Sequence, residues 1–235
     1  MKAVIIAAGY GSRLWNVSNQ IPKTLLPYGG GTILSTIIIQ MIAAGVTELA
    51  IVLGFNQQYI RDYLATQDFG IPLSLLENTD WDKGNAISVY KARDYAQGEP
   101  FLLSMSDHLL KVDALRQIIN SGEKSNLLLV DPFIKDNFDL DDATKVQVEH
   151  GFIASIGKEL NIYNALDCGI FRLEQDFFTA VETALSKGID SISGAISELI
   201  ATKRIMVVSL TKPQQWLDID TPEAYEHAKA SFNLP

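Results

Sequence analysis

The chain has 235 residues, 47% hydrophobic and 20% charged, so it can bury a sizeable core and is neither a disordered chain nor a coiled coil. With 19 Lys and Arg against 28 Asp and Glu, its formal net charge is −9, a field that repels nucleic-acid backbones and anionic membrane surfaces. Its lone cysteine, Cys168, excludes an internal disulfide or a multi-cysteine metal site and fits a reducing cytoplasm.

The apolar run 3–8 stops at Gly9, which predicts a buried strand and is too short for a secretory signal. Residues 9–31 are rich in Gly, Pro, Ser and Asn and read as a long loop of the kind that carries function. Residues 32–44 predict a helix capped by Thr32 and stopped by Gly45. The apolar stretch from Ile33 to Val46 falls short of the roughly 20 residues that cross a bilayer, so the protein is expected not to be membrane-embedded. Strands then follow at Leu49–Leu53, Leu73–Glu77, Phe101–Met105 and Asn126–Val130, alternating with helices at Gln57–Ala65, Asn85–Tyr95 and 113–120. That alternation predicts a parallel, doubly wound sheet. Near residue 143 the pattern changes: Lys145–Glu149, Ile153–Ile156 and Asp167–Leu173 predict antiparallel hairpins, with His150-Gly151 as a tight turn. Helices at 174–186 and 194–202, a strand at 205–209 and a helix at 222–231 complete one domain over 1–235, with no internal repeat.

The segment Ala7-Ala8-Gly9-Tyr10-Gly11-Ser12-Arg13-Leu14 is a poor dinucleotide fingerprint. Leu14 stands where the third glycine belongs, no helix opens at once, and no acidic residue ends the second strand. No Gly-Lys-Ser/Thr occurs, so a Walker A loop is absent. The better reading is a loop that wraps a triphosphate, because Gly9 and Gly11 let backbone N–H groups come close. Arg13 adds a planar fork of donors, and Lys23 a second positive charge. Asp107 ends a predicted strand at the sheet edge where ligands of α/β proteins bind. Asp218 and Asp220 are two apart and could share a face of a strand, while Asp220 could equally be the N-cap of the last helix. Gly84-Asn85 opens a helix, which Asn85 could cap.

The pair Ala7-Ala8-Gly9-Tyr10-Gly11-Ser12-Arg13-Leu14 and Pro22-Lys23-Thr24-Leu25-Leu26-Pro27 resembles the signature of nucleotidyltransferases that couple an NTP to a phosphorylated alcohol or sugar. Later segments, among them Asp82-Lys83-Gly84-Asn85, Ser106-Asp107-His108, Asp142-Ala143-Thr144-Lys145, Asp167-Cys168-Gly169 and Asp218-Ile219-Asp220-Thr221, are similar to the CTP:inositol-1-phosphate cytidylyltransferases. Ser106 departs from that family, which usually has glycine before the aspartate. The resemblance implies a Rossmann-like, three-layer α/β fold with a mixed, mainly parallel sheet and a small antiparallel hairpin region for the acceptor. Residues 1–130 would serve mainly the nucleotide, and 131–235 mainly the acceptor and the second metal ligand. It also implies Mg²⁺, with CTP and inositol 1-phosphate as reactants and CDP-inositol and pyrophosphate as products. Asp107 becomes the first metal ligand, with Asp220 the favoured second and Asp218 its alternative. Arg13, Lys23 and Lys145 become catalytic. Ala7, Ala8, Gly9, Gly11, Ser12, Arg13, Lys23, Asn78, Gly84, Asn85 and Asp107 are assigned to the nucleotide, and Lys145, Lys158 and Asp167 to the acceptor. The product would pass to a separate membrane synthase, and the enzyme would be a monomer or homodimer. Rival acceptors are phosphocholine or an aminoalkylphosphonate, with Trp81, Tyr90 or Trp216 meeting the cation. A sugar-1-phosphate uridylyl- or thymidylyltransferase is a further rival, and so is a non-catalytic nucleotide-binding protein. His108 is read as a contact to ligand or metal water.

Overall fold

Hydrogen bonding and burial, in a computed structural model that describes residues 1–14 and 21–232, place the chain's apolar runs in the centre of one large sheet. The strands are β1 (Lys2–Ala7), β2 (Pro27–Tyr28), β3 (Gly31–Thr32), β4 (Glu48–Leu53), β5 (Leu73–Glu77), β6 (Phe101–Met105), β7 (His108–Leu110), β8 (Asn126–Asp131), β9 (Lys145–Glu149), β10 (Phe152–Gly157), β11 (Ala165–Leu173), β12 (Ile205–Ser209) and β13 (Trp216–Asp218). The helices are α1 (Ile33–Ala44), α2 (Gln57–Ala65), α3 (Asn85–Tyr90), α4 (Arg93–Ala96), α5 (Val112–Ile119), α6 (Asp176–Ser186), α7 (Ile192–Ala201) and α8 (Pro222–Ser231).

The main sheet runs β5-β4-β1-β6-β11-β8-β12-β10-β9. Strands β5, β4, β1 and β6 are parallel. Side chains alternate, so Ala3, Ile5 and Ala7 of β1 join one apolar cluster while Val4 and Ile6 join the other. Burial on both faces explains why these strands read as continuous apolar runs. Helices α1, α2, α5 and α8 cover the first face, and α3, α6 and α7 the second, making three layers.

Two expectations from the sequence need correction. Asp167–Leu173 is not part of a peripheral hairpin. It belongs to β11, which sits antiparallel between β6 and β8, because nearly all of its nine residues are buried. Only its start reaches β9. The helix expected over Asn85–Tyr95 is broken at Lys91-Ala92 into α3 and α4. The hairpin β9–β10 forms as expected, and His150 and Gly151 both have positive φ, the geometry of a two-residue turn. The long loop holds single 3₁₀ turns at Ser12–Leu14 and Lys23–Leu25 and the short hairpin β2–β3. Its residues 15–20 lie outside the described residues. Strands β7 and β13, which the hydropathy pattern did not reveal, pair antiparallel and set His108 opposite Asp218. Among the described residues no helix is long and apolar enough to cross a membrane.

Helix α1 begins with reciprocal bonds: the Ser35 N–H donates to Thr32 Oγ1 at 3.1 Å, and the Thr32 N–H donates to Ser35 Oγ at 2.8 Å. Gly45 ends it in the left-handed region at φ 110°. Thr32→Ala is expected to cost about 1 kcal/mol and lower the melting temperature by roughly 2–4 °C in calorimetry. An unchanged Tm would show that the cap contributes nothing.

Candidate active site

Parallel strands β1 and β6 end side by side, with Ile6 opposite Met105, and deliver Gly9–Gly11 and Ser106-Asp107 to one edge of the sheet. The β7–β13 pairing brings the 218–220 stretch to the same place. Thr221, not Asp220, caps α8, its hydroxyl accepting the Ala224 N–H at 3.1 Å. The Asp220 carboxylate is therefore directed to Arg13 and Lys23, and the helix-cap alternative for it is set aside.

The result is an alternating file of charges. Lys158 Nζ lies 2.7 Å from Asp142 Oδ1, whose other oxygen is 2.7 Å from an Arg13 nitrogen. The second Arg13 nitrogen donates to Asp220 at 2.7 Å. Asp220 also pairs with Lys23, which reaches Asp107 at 2.5 Å. Asp107 in turn holds His108 Nδ1 at 2.7 Å. Gly11 supports Lys23: at φ 62° its Cα lies so near the lysine stem that an added Cβ would stand 3.3 Å from Lys23 Cδ and Cγ.

Burial and pairing act against each other on these groups. Burial would lower the Lys23 pKa, but Asp107 and Asp220 outweigh it and raise it. Burial would raise the Asp107 pKa, but the charge on Lys23 and the bond to His108 hold it well below the usual carboxylate range. For His108, burial is outweighed by Asp218 and Asp107, and the imidazole is pushed up to about 9. Burial dominates at Asp218, raised to about 7, and at Asp167, raised to about 6 although it accepts the Gly169 N–H.

Two cavities meet at Asp107. One, of 230 Å³, is bordered by Ala7, Gly9, Gly11, Lys23 and Ser106. The other, of 270 Å³, is bordered by His108, Asp142, Lys158, Asp167, Asp218 and Asp220. Asn85, Met105 and Asp107 line both.

The expected site residues divide accordingly. Gly9, Gly11, Arg13, Lys23, Asp107, Lys158, Asp167, Asp218 and Asp220 are gathered at this edge. Ser12 opens a 3₁₀ turn beside them, and its side chain lies outside the description. Ala8 is buried, its carbonyl accepting the Phe55 N–H. Asn78 does not reach either cavity: it is buried, its amide donating to Ser88 Oγ and its carbonyl accepting the Asp80 N–H. Gly84 packs closely on Asp190, where a Cβ would lie 2.2 Å from the carbonyl oxygen. Asn85 does not cap its own helix; its side chain accepts the Ile192 N–H at the start of α7. Lys145 turns to the Asp141 carbonyl, outside the acceptor-side cavity. Trp81, Tyr90 and Trp216 are not brought together: Trp81 borders the first cavity, Tyr90 bonds Glu182, and Trp216 bonds Asp131 and stacks on His108. Sequence reasoning passed over Asp142, the link between Arg13 and Lys158, although the matching segment contains it.

Carboxylate oxygens of Asp142, Asp218 and Asp220 lie within 4.8 Å of one another, as do ligating atoms of Asp107, His108 and Asp218. Asp218 Oδ1 is buried without a hydrogen-bond partner. Hard oxygen donors with one left unsatisfied suit a divalent cation such as Mg²⁺.

Comparison with known proteins agrees with this geometry. Residues 2–137 match the family described as nucleotidyl transferase. The chain belongs to that family. Nucleotidyltransferases are enzymes, and the mixed α/β sheet is their fold. A bifunctional IPC transferase and DIPP synthase of Aquifex aeolicus is 32% identical over 97% of this chain and 50% of its own length. The chain thus spans about half the length of such relatives. The CTP:phosphoglutamine cytidylyltransferase of Campylobacter jejuni is 26% identical over 77% of this chain and 76% of its own. The inositol-1-phosphate CTP transferase of T. maritima superposes with a TM-score of 0.82 at 25% identity, covering 95% of this chain and 90% of the other.

Because the folded-state pKa of His108 is raised, the stability it contributes is fully present below about pH 6.5 and lost as pH rises through about 9. The difference in melting temperature between the parent and His108→Gln should be largest at pH 6 and shrink by pH 10. A constant difference across that window would contradict a charged His108.

Proposed function

We propose that the enzyme transfers a cytidylyl group from CTP to the phosphate of a small phosphorylated alcohol, best inositol 1-phosphate, releasing pyrophosphate. The observation that carries this reading is the pair of cavities that share Asp107, one beside the glycine-rich loop and one beside Lys158 and His108. The names of the Campylobacter and T. maritima relatives support CTP as the donor. In this reading residues 1–130 serve mainly the nucleotide, and 131–235 mainly the acceptor and the second metal ligand. The buried lone cysteine supports a reducing, cytoplasmic setting.

An oxygen of the acceptor phosphate attacks the α-phosphorus, the bond from that phosphorus to the bridging β-phosphate oxygen breaks, and pyrophosphate carries the electron pair away. The acceptor phosphate is already largely an anion at pH 7, with a second pKa near 6, so no general base is required. Positioning and charge make up the barrier. Lys23 and Arg13 exchange their carboxylate partners for triphosphate oxygens, with backbone N–H groups of Gly9–Gly11 alongside. Lys158 and the His108 imidazolium face the acceptor phosphate. Lys145, bound to Asp141, stands further back. Asp107 and Asp220, with Asp218 in the acceptor-side cavity, would hold Mg²⁺, which would supply charge neutralisation for the leaving pyrophosphate. Asp167 accepts hydrogen bonds from polyol hydroxyls.

The second reading, an acceptor bearing an amine, is favoured by the same wall: Asp107, Asp139, Asp142, Asp167, Asp218 and Asp220 all line the acceptor-side cavity. A matrix of CTP, UTP and dTTP against inositol 1-phosphate, phosphocholine, an aminoalkylphosphonate and glucose 1-phosphate, read by pyrophosphate release, separates these cases. CTP with inositol 1-phosphate should be the best pair. A tenfold advantage for another acceptor would overturn the acceptor assignment and leave the transfer chemistry standing.

Lys23→Ala should lower kcat/KM by roughly 10²–10³-fold, the scale of removing one electrostatic stabiliser. Near-normal turnover would remove Lys23 from the reaction.

A further inference from the structure

We propose that Tyr10, Phe55 and Trp81 form an aromatic wall of the nucleotide cavity, and that the indole of Trp81 stacks on the pyrimidine ring of the bound nucleotide. This rests on the nucleotidyl-transfer reading above and adds the residues that hold the base.

The three rings come from three loops, each following the carboxyl end of a parallel strand: Tyr10 after β1, Phe55 after β4 and Trp81 after β5. Their ring centres lie 4.4 Å (Tyr10 to Phe55), 5.0 Å (Phe55 to Trp81) and 6.2 Å (Tyr10 to Trp81) apart. The planes of Tyr10 and Trp81 are within 7° of parallel. Trp81 itself borders the cavity that contains Gly9, Gly11, Lys23 and Asp107.

The cluster is built rather than incidental. Gly54 has no room for a side chain, because an added Cβ would lie 2.5 Å from Trp81 Cβ and 2.7 Å from the Ala8 carbonyl oxygen. Trp81 can therefore press against the turn at the end of β1. The loop that carries it is braced at both ends: Asn78 donates to Ser88 and accepts from the Asp80 N–H, and Asp80 pairs with Lys83 at 2.8 Å. An anchored π-face costs little ordering on binding, and any base has a face to offer it. Such a wall contributes affinity for CTP and UTP alike and leaves discrimination between them to edge contacts.

An aromatic cage for a quaternary ammonium is the competing use of such rings. Trp81 borders the nucleotide cavity and is absent from the acceptor-side cavity, which favours a nucleobase.

The test uses the full chain and Trp81→Phe and Trp81→Leu, each checked for an unchanged melting curve. CTP should quench the tryptophan fluorescence of the parent, inorganic triphosphate should not, and the CTP response should be lost in Trp81→Phe although Trp15 and Trp216 remain. Trp81→Phe should keep the KM for CTP within about threefold, whereas Trp81→Leu, similar in bulk without a π-face, should raise it about tenfold for CTP and UTP together, the scale of one base-on-aromatic contact. The acceptor KM should not change. Equal KM values in the two variants, or a rise confined to the acceptor, would overturn the wall while leaving nucleotidyl transfer intact. If Trp81→Leu unfolds, the same comparison made with Tyr10→Phe and Tyr10→Leu carries the test. Loss of all nucleotide binding in the parent would instead overturn both readings.

Discussion

Opposite charges that neutralise one another at a single sheet edge are the constraint on which the rest of this structure depends. The chain is acidic overall, yet the proposed transfer requires two anionic reactants to meet. Isolated buried lysine or arginine charges would be costly, and so would isolated aspartates. Alternation from Lys158 through Asp142, Arg13, Asp220, Lys23 and Asp107 to His108 sets each charge against an opposite one, which matters most for the largely buried Lys23, Asp107 and His108. The array is held ready for incoming charges of both signs: phosphates can take over the cations and a divalent ion the carboxylates. The electrostatic cost of assembling the site is met in the ligand-free state, which is what preorganisation means in physical terms.

The fold supplies this edge by ending strands there. Parallel β1 and β6 bring the glycine-rich loop and Asp107 together, and the small β7–β13 pairing adds Asp218 and, just beyond it, Asp220. Strand β11, inserted antiparallel, carries Asp167 to the floor of the second cavity. Strands β1 and β6 border the first cavity and β6 and β11 the second, so one sheet underlies both.

Much of this was legible in the residues. Two-sided burial writes itself as continuous apolar runs, and β1, β4 and β6 were visible on that basis. Thr32 and Gly45 marked both ends of α1, and His150-Gly151 marked the hairpin turn. The position of β11 was not legible, because a buried strand has the same apolar pattern whether its neighbours run parallel or antiparallel. The break at Lys91-Ala92 was hidden for a similar reason: neither residue opposes a helix. At the candidate site, Arg13, Lys23, Asp107 and Asp220, singled out by spacing and family resemblance, stand in one set of ion pairs. The side-chain contacts of Asn78 and Asn85 and the packing of Gly84 were not legible, because their partners, Ser88, Ile192 and Asp190, are set by tertiary packing; the last two are more than a hundred residues away. Asp142 was missed because a carboxylate among several in an acidic stretch carries no signal until the fold shows which cations face it.

The most direct measurement of the central claim is a crystal structure with CTP and Mn²⁺, the ion located by its anomalous scattering. The account predicts Mn²⁺ bound by Asp107 and Asp220, the triphosphate along Gly9–Gly11, and Lys23 moved from the carboxylates onto phosphate oxygens. Mn²⁺ and triphosphate bound elsewhere, with the Asp107–Lys23–Asp220 contacts unbroken, would contradict it.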